Sequence, residues 1–224
     1  MNRFLIIAID GGAATGKSST SKRLAEKHNF LHVDTGSHYR SIAYHLIQAN
    51  LDVNNVPGIA KFLQKLPVDT VISNGQASII LNNRPIPPAD LRTPEVNSSV
   101  SRFASIPEVR TFLKSYQQSQ EGIAKKNNFN GLIMEGRDIG TVIFPNADLI
   151  IFLDANPETR ELRRKNEGIS DSIAERDKLD LFRKTAPLAC SPKAIKIDTS
   201  LLSLDQVISQ ISQLIENIGE TRMT

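Results

Sequence analysis

Residues Gly11-Gly-Ala-Ala-Thr-Gly16-Lys17-Ser18 fit the pattern G-x-x-x-x-G-K-[ST], directly after the apolar run Phe4 to Ile9 and directly before a helical pattern. A loop of this kind is built between a buried strand and a helix N-terminus. Glycines there let successive backbone N–H groups converge on phosphate oxygens, and the helix end adds partial positive charge. In this pattern Lys17 reaches the β- and γ-phosphates of a nucleoside triphosphate, and the Ser18 hydroxyl is the candidate ligand for Mg²⁺. The loop residues Gly11, Gly12, Ala13, Ala14, Thr15, Gly16, Lys17 and Ser18, with Ser19 at the helix start, form the expected site for ATP.

The rest of the chain repeats the alternation that such a loop requires. Short apolar runs at Leu5 to Ile9, Leu31 to Val33, Leu132 to Met134, Leu149 to Leu153 and Ala194 to Ile197 read as buried parallel strands. Helices are expected from Lys17, near Ser37, after Pro57, at Pro94, at Pro107, after Pro157, in the 170s and near Leu204, several opened by a proline in the first turn. The fold class is therefore α/β, a P-loop NTPase-type parallel sheet flanked by helices. One stretch breaks the alternation. Val68 to Ser73, the Asn74-Gly75 pair, Ala77 to Leu81 and the turn before Arg84-Pro85-Ile86 read as antiparallel strands and turns. This predicts a small antiparallel β insertion over 67–88, able to move relative to a core formed by 1–66 and 89–224.

Composition narrows the function. The 224 residues are 40% hydrophobic and carry a formal charge of only +3, which suits one globular domain and gives little support to nucleic-acid binding. The single cysteine, Cys190, cannot form an internal disulfide, and no Cys/His group has zinc-ligand spacing, so a reducing cytoplasmic setting is expected. The N-terminal apolar run is too short for a signal core, and no membrane-spanning stretch is evident. The chain shows no heptad seam, which favours a monomer.

A phosphate loop alone permits kinases, GTPases, motors and nucleotide-dependent switches, so the remaining residues must discriminate. No Asn-Lys-x-Asp guanine-reading motif occurs. Arginines concentrate at expected strand ends, helix starts and loops, where guanidinium forks suit phosphate oxygens. The stretches Asp34-Thr-Gly36-Ser-His-Tyr39-Arg40, Arg92-Thr-Pro-Glu-Val96, Glu135-Gly-Arg137-Asp138-Ile-Gly140-Thr-Val-Ile-Phe-Pro145, and Glu175-Arg176-Asp177 through Asp180, Arg183 and Ala186-Pro187-Leu188 resemble the bacterial type of cytidylate kinase. The likeness spans almost the whole chain.

That resemblance implies transfer of the γ-phosphoryl group of ATP to CMP and dCMP, with Mg²⁺. Arg40 and Arg137 would hold the acceptor phosphate, with Thr35, Tyr39 and Arg92 beside them, while Ser101, Arg110 and Asp138 would face the cytosine edge. A carboxylate accepts from the cytosine amine and a donor pair serves its acceptors; uracil reverses part of that pattern. Residues 165–184 would form a helical lid that brings Arg176 and Arg183 to the phosphates and Asp180 to the acceptor ribose, with Arg160 and Arg164 facing ATP at its entrance. The catalytic set implied is Lys17, Arg137, Arg176 and Arg183. No general base is needed, because the acceptor phosphate is already ionised near neutral pH. His28, His32, His38 and His45 are accordingly read as surface or packing residues. The chain departs from the family at Gly12, where proline is frequent, at Ser37, where alanine is usual, and in a short connection from Arg164 to Glu175 that questions the reach of the lid. The alternative reading is a nucleotide-binding switch or regulatory ATPase whose arginines serve a partner.

Overall fold

The structure is a computed structural model that describes residues 3–166 and 173–220, the side chains of 173–176 and 219–220 excepted. In chain order the elements are β1 (Leu5–Gly11), α1 (Lys17–His28), β2 (Phe30–Asp34), α2 (Thr35–Gln48), α3 (Val56–Gln64), β3 (Val68–Ser73) and β4 (Gln76–Leu81). After them come α4 (Pro94–Phe103), α5 (Pro107–Lys126), β5 (Gly131–Gly136), β6 (Leu149–Asp154), α6 (Pro157–Asn166), α7 (Ile173–Phe182), β7 (Ile195–Asp198) and α8 (Leu204–Glu220). The seven strands form one sheet in the order β3-β4-β2-β5-β1-β6-β7. Every neighbouring pair is parallel except β3 and β4.

The central strands are apolar on both faces because successive side chains point to opposite sides and helices cover each side. Ile7 and Ile9 of β1 and Ile133 of β5 pack with Leu24 of α1 and with Val207, Ile211 and Ile215 of α8. The intervening Ala8, Leu132 and Met134 pack on the other face with Ala124 of α5 and with Ile139 and Ile143 of a short π-helical turn after β5. A third cluster joins α2, α3, α4 and α5 to Ile79 and Leu81 of the hairpin. Each fully buried Leu or Ile contributes about 1.5–3 kcal/mol relative to exposure.

The hairpin has the expected strands, and its Asn74-Gly75 turn takes the positive φ values, 50° and 72°, that a tight two-residue turn demands. It differs from the expected insertion in one respect. β4 pairs in parallel with β2 through His32 with Gln76 and Val33 with Ala77, so the hairpin lengthens the main sheet. Arg84 to Ile86 adds no strand and contributes a single bridge from Arg84 to Leu81. Helix α2 starts at Thr35 rather than near Ser37, because the Asp34 carboxylate accepts from Gly36 N and Ser37 N and caps it earlier.

His38 of α2 is fully buried, its ring edge-on to Tyr116 at 5.1 Å. Neither ring nitrogen has a hydrogen-bond partner among the described residues. Burial pushes its pKa from 6.5 down to about 4, with Asp34 opposing weakly. The folded pKa lies below the unfolded one, so the neutral ring's contribution is full above pH 6.5 and is lost as pH falls toward 4. Denaturant titrations at pH 7.5 and 4.5 should show a loss at the lower pH that His38→Met reduces by about 2–3 kcal/mol. Equal losses in the two proteins would assign the acid sensitivity elsewhere.

Candidate active site

The loop from Gly11 to Gly16 is held by its own backbone chemistry. A Cβ at Gly11 would lie 2.1 Å from the Leu153 carbonyl oxygen, and Gly16 sits at φ 90°, so each position needs glycine for a different reason. Thr15 is buried and its hydroxyl donates to the Gly12 carbonyl at 3.0 Å. Lys17 Nζ donates to the same carbonyl at 2.5 Å. Burial, then the Arg137 charge, lowers the Lys17 pKa to about 7, against the opposing pull of Glu135, Asp177 and Asp10. The Ser18 hydroxyl donates to Glu135 Oε2 at 2.7 Å.

A cavity of about 560 Å³ opens from this loop, within the range that holds a nucleotide-sized ligand. One side is formed by Ala13 to Ser19, and the other by Thr35, Tyr39, Arg40, Arg92 and Ser101. Glu135, Arg137, Asp138, Arg164, Asp180 and Arg183 also line it. Most of the residues expected from the sequence therefore meet in one place. Arg110 and Arg160 lie behind this surface. The Arg110 guanidinium sits 5.3 Å above the Tyr39 ring, donates to the Ala104 carbonyl at 3.0 Å and pairs with Asp138. Arg160 Nε donates to the Ala13 carbonyl at 2.8 Å, and its Nη2 pairs with Asp177. The Thr35 hydroxyl donates to the Glu135 carbonyl at 2.7 Å, tying α2 to β5. The Arg176 side chain lies outside the described residues.

Arg137 and Asp138 stand in the turn between β5 and the π-helical turn. Asp10, at the end of β1, accepts from Ile139 N at 2.8 Å and from Gly140 N at 2.7 Å, and so pins that turn beside the phosphate loop. Burial raises the Asp10 pKa to about 6 although both amides favour its charged form. Arg137 Nη1 donates to the Gly11 carbonyl and to Asp177 Oδ1, both at 3.0 Å, and its Nε pairs with Asp180 at 3.1 Å. Asp138 lies between two buried guanidinium groups, Arg110 on Oδ2 and Arg183 on Oδ1 at 3.4 Å. Arg183 is aimed by donating to the Ala186 carbonyl at 2.5 Å and to Asp180 at 3.4 Å.

The connection after Arg164 is short, yet α7 reaches the loop: Asp177 Oδ1 accepts from Ala13 N at 3.1 Å. Burial alone would raise the Asp177 carboxyl, but Arg137, the Ala13 amide and Arg160 hold it below the ordinary carboxylate range. A Cβ at Gly12 would stand 3.1 Å from Asp177 Oδ2 and 3.2 Å from Arg160 Nη2, so a glycine there leaves room for this contact. Ser37 donates its hydroxyl to the Asp34 carbonyl at 2.6 Å, within the first turn of α2.

The comparisons with known proteins bear on this arrangement. The family profile described as cytidylate kinase matches residues 7–217. The chain belongs to the cytidylate kinase family. A cytidylate kinase of Streptomyces avermitilis is 39% identical over 95% of this chain and 93% of its own length. That of Bacillus subtilis is 35% identical over 96% of this chain and 98% of its own. In the sequence Glu135 and Asp177 stand inside motifs with no task of their own, and Asp10 carries no motif at all. The available signal was position: Asp10 immediately precedes the phosphate loop at a strand end, a place where a buried carboxylate needs backbone partners.

Proposed function

We propose that this chain transfers the γ-phosphoryl group of ATP to CMP, and to dCMP, giving ADP and the corresponding diphosphate. The observation that carries the reading is a single cavity that joins a phosphate loop to a buried carboxylate set among arginines, Asp138 with Arg110 and Arg183. Donor phosphates would lie on the amides of 13–18 and on Lys17, with Arg164 lining the cavity beside them and Arg160 behind the loop on the Ala13 carbonyl and Asp177. The acceptor phosphate would take Arg40, Arg92 and Arg137, and the cytosine amine would donate to Asp138 beside Ser101. Asp180 is suited to the acceptor ribose, and Tyr39 would pack beside the base. Its hydroxyl stays protonated at working pH, burial having pushed its pKa up to about 12. A regulatory switch would need neither this acceptor half nor its specificity.

The residues at the loop fit Mg²⁺. The Ser18 hydroxyl and the Glu135 carboxylate are oxygen donors that share a 2.7 Å hydrogen bond and both line the cavity. Among the described residues no cluster of three or more His, Cys, Asp or Glu forms a cage for a metal, which suits an ion that takes most of its ligands from phosphate and water. When bound, Mg²⁺ neutralises charge on the β- and γ-phosphates. Lys17 and Arg137 would align the two phosphates and stabilise the charge that develops between them, and α7 would exclude water. The hairpin over 67–88 would support the acceptor half while 1–66 and 89–224 form the kinase core. No helix among the described residues is long and apolar enough to cross a membrane. A cytoplasmic monomer acting on small molecules, without nucleic acid, accompanies this reading.

The test is an acceptor panel: Mg-ATP with CMP, dCMP, UMP, AMP and GMP, following ADP and the new diphosphate. CDP should form fastest, and no consumption of CMP would remove the reading. The same geometry predicts competition within the loop. Asp177 accepts from Ala13 N, an amide the donor phosphates also require, and this charge-assisted bond is worth about 1.5 kcal/mol. Asp177→Asn should therefore tighten binding of a fluorescent ATP analogue roughly tenfold. Weaker binding would show that Asp177 supports the donor site instead.

A further inference from the structure

Behind Ser18 and Glu135 lies a third residue that no step above uses. His32 of β2 is 2% exposed, as is Glu135 of β5. Glu135 is held at both oxygens: Oε2 accepts from Ser18 Oγ at 2.7 Å, and Oε1 lies 2.8 Å from His32 Nε2. A carboxylate can only accept, so His32 Nε2 carries the proton in this bond, while Nδ1 has no hydrogen-bond partner among the described residues. Glu135 and Ser18 line the cavity, whereas His32 does not.

We propose that His32 is a positioning residue for the donor-side cation, acting through Glu135 on Ser18. The proposal rests on the Mg-ATP reading above. By donating its hydroxyl hydrogen to Glu135, Ser18 turns its lone pairs toward the cavity, where the cation's ligands must point. That orientation holds only while the carboxylate stays in place. His32 holds it from the far side, because β2 and β5 pair at Asp34 with Glu135 and at His32 with Ile133, one strand spacing apart. Without the Nε2–H donor, Oε1 is a buried acceptor with nothing to accept from. The carboxylate then turns toward other donors, and Ser18 loses its acceptor. Groups that orient metal ligands in this way typically change metal affinity 10–100-fold when removed.

The experiment measures binding without turnover: a fluorescent ATP analogue is titrated with Mg²⁺ in the wild type, His32→Leu, His32→Gln and His32→Asn. Leucine removes the donor at similar volume, glutamine places an N–H near the Nε2 position, and asparagine keeps polarity but falls short of Oε1. The Mg²⁺ concentration at half-saturation should rise by about 10–100-fold in His32→Leu and His32→Asn and return to within a few-fold of wild type in His32→Gln. CMP affinity measured without Mg²⁺ should be unchanged throughout. Wild-type half-saturation in His32→Asn, or in a folded His32→Leu, would overturn the proposal and leave His32 a packing residue. A wild type whose binding of the analogue ignores Mg²⁺ would overturn the donor reading itself, and the His32 proposal with it.

Discussion

Arg137→Ala is expected to lower kcat for phosphoryl transfer to CMP by roughly 10²–10³-fold, the usual loss when one preorganised donor to developing charge is removed. Arg137 stands where the phosphate loop, the cavity and α7 meet. It donates to the Gly11 carbonyl and Asp177 at 3.0 Å and pairs with Asp180 at 3.1 Å. Its backbone is held by the turn that Asp10 pins, so truncation removes the guanidinium while that turn stays tied to β1. Arg137→Lys keeps the charge but not the planar fork, and should recover only part of the loss. Steady-state kinetics with CMP check both variants, together with denaturant titrations to confirm folding. A kcat for Arg137→Ala within threefold of wild type would take Arg137 out of the catalytic set.

Asp138→Ala should have a second kind of large effect, on stability and specificity together. The side chains of Arg110, Asp138 and Arg183 are 6%, 5% and 4% exposed, so removing the carboxylate leaves two buried guanidinium groups facing each other. Breaking such a group costs about 3–5 kcal/mol. Deleting one of the two cations as well should return part of that stability, because Asp138→Ala/Arg110→Leu no longer buries a repelling pair. The acceptor preference should not return. Against Asp138 a cytosine amine would find an acceptor, while a uracil carbonyl would meet a second acceptor and leave both unpaired, a difference of about 1–3 kcal/mol. The ratio of kcat/KM for CMP over UMP should therefore fall roughly tenfold or more in both variants. A preserved ratio in the double variant would mean that the base is read elsewhere.

The layout was legible in the sequence because its signals are local. The strands at Leu5, Val68 and Leu149 start where the apolar runs start, and the helices at Pro94 and Pro107 start on their prolines. The cases that shifted depended on a partner. The start of α2 moved because the Asp34 side chain turned back onto Gly36 N. The hairpin joined the sheet because Gln76 and Ala77 found β2, and no pattern within 67–88 announces a parallel neighbour from forty residues earlier.

For the site the division is similar. The sequence alone determined the chemistry of the phosphate loop, since glycine at 11 and 16, lysine at 17 and serine at 18 are demands of a strand-loop-helix joint that any reader of the chain can derive. It also named the arginines that meet in the cavity. Tertiary structure decided which donors each buried carboxylate receives. Asp10 holds the Arg137 turn, Asp177 comes from α7 to the Ala13 amide, and His32 stands behind Glu135. These pairings join residues separated by more than a hundred positions in the chain. A buried carboxylate takes whatever donors the packed elements bring within hydrogen-bonding reach, and that geometry exists only once β2, β5 and β1 lie side by side and α7 packs against the loop.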